Sequence, residues 1–62
     1  MKTIQLIKTI TNGEEPIIEV LHTEEVADDR WPNATRRYRL QAEKMNRQEE
    51  TDVYGHREAP EE

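Results

Sequence analysis

Sixty-two residues with a net charge of −5 and neither cysteine nor serine make one small domain, burying only about 60% of its unfolded surface. The composition excludes disulfides, thiolate metal sites and the two commonest catalytic nucleophiles. No apolar run approaches the ~20 residues that cross a bilayer, and Met1-Lys2-Thr3-Ile4-Gln5 lacks a signal peptide's apolar centre, so the expected location is the cytoplasm, with no membrane partner.

Thr3 to Ile10 reads as a first strand and Pro16 to Leu21 as a second. Between them lies Asn12-Gly13, a strong hairpin signal, because glycine takes positive φ without a Cβ clash. A three-residue loop, Thr11-Asn12-Gly13, would pair Ile10 with Glu14, Leu6 with Ile18 and Ile4 with Val20. That register gathers Ile4, Leu6, Ile10, Ile18 and Val20 on a core face. A one-residue slip would bring Glu15 and Glu19 there instead. Ile7, Ile17 and Leu21 then share the second face, which one helix cannot also cover. Three aliphatics in water mark a contact surface for a second copy, in a two-fold homodimer, or for a target protein.

Thr23-Glu24-Glu25-Val26 resembles a helix start, with a capping threonine and acids against the positive dipole end. This short helix is expected to stop near Arg30 or Trp31, since Pro32 biases the preceding residue away from helical angles. Asn33 can cap a second, longer helix running to about Glu50. On it Ala34, Tyr38, Ala42 and Met45 recur at spacings of four, four and three, which is one helical face. Leu40 falls off that face. Trp31, the sole tryptophan, reads as core or half-buried, or else as an interface anchor. Thr51 to Arg57 favours a third strand, with Val53 and Gly55 on one face and Tyr54 and His56 on the other. The fold class is therefore α+β: a small antiparallel sheet, hairpin plus third strand, on one main helix, with a short helix before Pro32. The domain spans residues 1–58, and 59–62 form an acidic tail.

The order of the hairpin, His22-Thr23-Glu24-Glu25-Val26-Ala27, Ala42-Glu43-Lys44-Met45-Asn46 and Thr51-Asp52-Val53-Tyr54 resembles short ββαβ accessory proteins of bacteriophages and mobile elements. The Trp31-Pro32 interruption departs from their single helix. Such proteins often bind and block a host protein. The resemblance implies that role, and it supplies no functional residues.

Nothing in the chain forms a catalytic motif. Adjacent acids such as Glu24-Glu25 and Asp28-Asp29 do not face one another on a helix, and they read as solvated surface. His22 and His56 could share a metal only if strand three lay beside strand two, so neither a metal nor a cofactor is expected. Charge is uneven. Residues 33–50 hold five cations and three acids, whereas residues 1–32 hold three cations and seven acids. Arg30, Arg37 and Lys44 are spaced by seven, Arg36, Arg39 and Arg47 widen the stripe, and Tyr38 and Trp31 could stack on bases. The preferred reading is a non-enzymatic protein-binding module contacting a host protein or itself through Ile7, Ile17, Leu21, Trp31, Arg36, Arg37, Arg39, Lys44 and Arg47. The alternative is a nucleic-acid-associated accessory protein using the basic helix around Arg36 to Arg47. An acidic chain with so small a basic footprint favours the former.

Overall fold

A computed structural model describes residues 1–11 and 13–60. Three antiparallel strands, β1 (Lys2–Thr11), β2 (Pro16–Val26) and β3 (Tyr54–Glu58), form one sheet in the order β2-β1-β3. A single helix, α1 (Trp31–Glu49), lies over β1 and β3, making a two-layer slab 13 Å across its thinnest axis. The three-strand sheet packed against one helix is the α+β architecture expected from the sequence.

The register of the hairpin corrects the sequence reading. Thr11 faces Pro16, Ile10 faces Ile17 and Ile7 faces Val20; past a bulge, Leu6 faces His22, Ile4 faces Glu24 and Lys2 faces Val26. The two strands are therefore joined between Thr11 and Pro16. Gly13 has the anticipated positive φ of 93°, and Asn12 lies outside the described residues. Leu21 is the extra residue of the bulge, with no partner on β1. An unbroken ladder continuing the Ile7–Val20 register would set Val26 opposite Met1, on the face away from the helix. The bulge shifts the later residues by one and brings Val26 under α1, where it is 6% exposed. The register before the bulge, set by the Thr11–Pro16 pair, turns Ile18 and Val20 away from the expected core face, and they stand 40% and 42% exposed.

Residues 23–26 continue β2 rather than starting a helix, and the short helix expected before Pro32 is one 3-10 turn, Asp28–Arg30. Trp31 adopts helical angles although proline follows it. Pro32 sits in the first turn of α1, where its missing N–H would have had no intrahelical acceptor. Arg30 precedes the first helical residue and makes no side-chain cap, so Asn33 falls inside the helix. At the other end Glu50 takes left-handed angles (φ 53°, ψ 49°), and the N–H groups of Glu50 and Thr51 return to the carbonyls of Arg47 and Asn46. This is the Schellman closure, built here without glycine.

The core is small: Ile4, Leu6, Val26, Ala34, Tyr38 and Ala42 are buried, and Trp31, Met45 and Tyr54 pack around them. The helical face read from the spacing of Ala34, Tyr38, Ala42 and Met45 is the one that packs, and Leu40 is exposed. Lys2 Nζ lies 5.3 Å from the Trp31 ring centre and Lys8 Nζ 5.6 Å from that of Tyr54, so two lysine stems flank the core on the helix side of β1.

Candidate interaction surfaces

The two outer strands are finished differently. Thr9 N–H donates to the Val53 carbonyl and Ala59 N–H donates to the Thr3 carbonyl, so the odd residues of β1 turn their backbone groups toward β3 and the even ones toward β2. On β3, Tyr54 therefore points its own N–H and C=O away from the sheet. Asn46 of α1 meets both: its Oδ1 accepts the Tyr54 N–H at 2.9 Å, and its Nδ2 donates to the Tyr54 carbonyl at 3.1 Å. One side-chain amide stands in for a further strand at this point. The Tyr54 hydroxyl also donates to Glu49, and that bond, followed by burial, raises the tyrosine's pKa above its ordinary value.

On β2 the residues opposite even positions of β1 are Ile17, Glu19, His22, Glu24 and Val26. Ile18, Val20, Thr23 and Glu25 alternate with them and turn their N–H and C=O groups outward, where β2 has no neighbouring strand. This open edge is eleven residues long and carries four exposed aliphatics: Ile17, Ile18, Val20 and Leu21.

The sheet face away from α1 is uncovered. By pairing parity it presents Thr3, Gln5, Ile7 and Thr9 of β1, Pro16, Ile18, Val20, Thr23 and Glu25 of β2, and Gly55 and Arg57 of β3. Arg57 Nε donates to Gln5 Oε1 at 2.8 Å across it. The aliphatic set on this face is thus Ile7, Ile18 and Val20. The expected grouping of Ile7, Ile17 and Leu21 is split, because Ile17 pairs with Ile10 on the helix side and Leu21 occupies the bulge.

A groove of about 710 Å³ runs between α1 and β2, because the helix leaves the near face of β2 uncovered. Leu6, His22, Glu24, Arg37, Tyr38 and Lys44 line it. Arg37 Nη2 lies 3.0 Å from Glu24 Oε2, and the His22 and Tyr38 rings are 6.2 Å apart. The Tyr38 hydroxyl is buried and makes no hydrogen bond of good geometry, with the Glu24 carboxylate near enough for a weak one. Burial first, and the Glu24 carboxylate second, raise its pKa, with Arg37 opposing.

The chain is helical across Pro32, and Arg30, Arg37 and Lys44 lie along one flank, but Arg36, Arg39 and Arg47 do not widen that stripe. Arg30 and Arg37 line one hollow beside β2, Arg37 and Lys44 line the groove next to it, and Arg36 and Arg39 line a smaller hollow with Thr35 and His56. At 100° per residue Arg47 falls near Arg36 on the outer crest. The aromatics that would interleave with them turn inward: Tyr38 is 7% exposed and Trp31 packs on the core. His22 and His56 sit on opposite sides of Leu6, because β3 lies beside β1 and not beside β2. Among the described residues no three histidine or acidic side chains converge as a metal site would require, and no helix is long and apolar enough to cross a membrane. No protein-family model, curated protein sequence or solved structure matches the chain.

Proposed function

We propose that this chain is a non-enzymatic protein-binding module whose target rests on the uncovered sheet face around Ile7, Ile18 and Val20. The observation that carries this reading is the one-sided packing: a single helix covers one face, and the other keeps an aliphatic strip with polar residues beside it. Such a strip on so small a domain is typical of an interaction surface. The likeness to small phage and mobile-element accessory proteins points to a host protein as the target and to blocking as the mode of action. The nucleic-acid alternative is less favoured, since the two aromatics are withdrawn and the cations are divided between two flanks and a crest.

The test is affinity capture from a bacterial lysate, with and without nuclease, using the wild type and an Ile7→Lys/Val20→Lys variant. A protein retained after nuclease treatment and lost with the variant supports the reading. Retention that disappears with nuclease, or falls steeply with added salt, supports the nucleic-acid alternative.

A further inference from the structure

We propose that the open edge of β2 pairs antiparallel with β2 of a second copy, in the register that sets residue i opposite residue 41 − i. This rests on the reading of the chain as a protein-binding module and names the first polypeptide that module engages.

The bulge selects the register. Before Leu21 the outward-facing backbone belongs to even residues, Ile18 and Val20; after it, to odd residues, Thr23 and Glu25. Where the segment before the bulge meets the segment after it in a two-fold antiparallel pair, outward groups match outward groups when even positions meet odd ones, so those paired numbers sum to an odd value. A sum of 41 centres the axis between Val20 and Leu21, so the two bulges adjoin. It places Ile18 opposite Thr23 and Pro16 opposite Glu25 on the uncovered face, and Glu19 opposite His22 and Ile17 opposite Glu24 on the helix side. Side-chain parity is kept across the joint, so both helices lie on one side of a continuous six-stranded sheet.

Charge points to the same partner. β2 carries three acids, Glu19, Glu24 and Glu25, and in this register none meets another acid. Glu19 faces an imidazole, and the other two face Ile17 and Pro16. Even sums do worse: a sum of 48 sets Glu24 opposite itself, and a sum of 36 pairs only residues 16–20, because β2 begins at Pro16. The competing edge offers less, since β3 is five residues long and Asn46 already occupies the backbone of Tyr54. The dimer also lengthens the proposed target surface, because Val20 of both copies flanks the axis on the uncovered face.

The experiment uses the full chain. Sedimentation equilibrium from low to high micromolar concentration should show a monomer–dimer equilibrium for the wild type. Thr23→Pro removes an outward N–H and no bond to β1, so it should keep the far-ultraviolet circular dichroism of the wild type while shifting the equilibrium to monomer. The chain has no native cysteine, so register can be read by cross-linking. An equimolar mixture of Glu19→Cys and His22→Cys chains should oxidise mainly to the mixed covalent dimer. A mixture of Glu19→Cys and Glu24→Cys should not. A wild type that remains monomeric, a Thr23→Pro chain that stays dimeric, or preferential cross-linking of the second pair would each overturn the proposal. Those failures would leave the capture result at Ile7 and Val20 standing or falling by itself.

Discussion

Replacing Asn46 with alanine tests whether the two-bonded amide holds β3 in place. The side chain makes two hydrogen bonds, 2.9 and 3.1 Å, to the backbone of Tyr54, and both are partly buried. Each such bond contributes about 1 kcal/mol net, and an unsatisfied part-buried group adds a desolvation cost, so Asn46→Ala should destabilise by about 2 kcal/mol. A 62-residue domain has roughly 3–9 kcal/mol in all, so this is a substantial fraction. It corresponds to a fall in Tm of about 8–16 °C. Urea unfolding followed by circular dichroism measures it directly, with an unchanged m-value as the sign that the native fold is the same. Asn46→Asp separates the two bonds: the carboxylate accepts the Tyr54 N–H but repels its carbonyl, so it should recover only part of the loss. A cost below about 0.5 kcal/mol for the alanine variant would refute the argument, since that is the scatter of a surface substitution.

Tyr38→Phe should be neutral or stabilise by up to about 1 kcal/mol in urea, because it deletes a buried hydroxyl whose only interaction is a weak one with Glu24. The raised pKa of Tyr38 fixes a sign for alkaline pH: the unfolded chain loses its tyrosine proton near the ordinary pKa of about 10 while the folded chain retains it, so stability declines as pH rises above that value. That decline should be shallower in the phenylalanine variant. Glu50→Gly should stabilise by about 1 kcal/mol, since it removes a Cβ from a left-handed position in the Schellman closure; loss of stability would mean that the Glu50 side chain contributes a contact worth more than the strain. Ile4→Ala should cost about 3–4 kcal/mol at a fully buried site, and Ile18→Ala under about 1 kcal/mol at a site 40% exposed, with equal costs showing that the hairpin register is wrong.

What the sequence displayed clearly was local. The spacing of Ala34, Tyr38, Ala42 and Met45 identified the packed face of α1, because helical neighbours are set by a fixed rotation per residue. The β-branched and aromatic content of residues 51–57 likewise marked β3. The hairpin register was not legible, because it depends on one bulge whose benefit, burial of Val26, lies five residues further on. Thr23-Glu24-Glu25 carries the signals of a helix start, yet pairing with β1 and the burial of Val26 outweigh a cap and a dipole contribution of about 1 kcal/mol each. The error at Pro32 was one of position. The residue before a proline is disfavoured in the helical region, but in a first turn the proline costs no hydrogen bond and Trp31 gains contact with the core. Asn46 gave no signal at all, since its role exists only once β3 is placed beside the end of α1.

The contrast between the sheet's edges bears on the proposed function more strongly than any single residue. A strand edge recruits other strands unless something prevents it. At β3 prevention is specific: the strand is short, and an asparagine amide fills the backbone groups of Tyr54. At β2 the same small protein leaves eleven residues open, restrained by a bulge, three acids and Pro16, which lacks an N–H to donate. Those restraints discriminate rather than block. An acidic strand set against Glu24 and Glu25 is repelled, whereas a second β2 in the proposed register sets them opposite Ile17 and Pro16. In the proposed dimer the two bulges adjoin and no acid of β2 stands opposite another. Such pairing leaves the uncovered face, with Ile7, Ile18 and Val20 from each copy, free for the target protein.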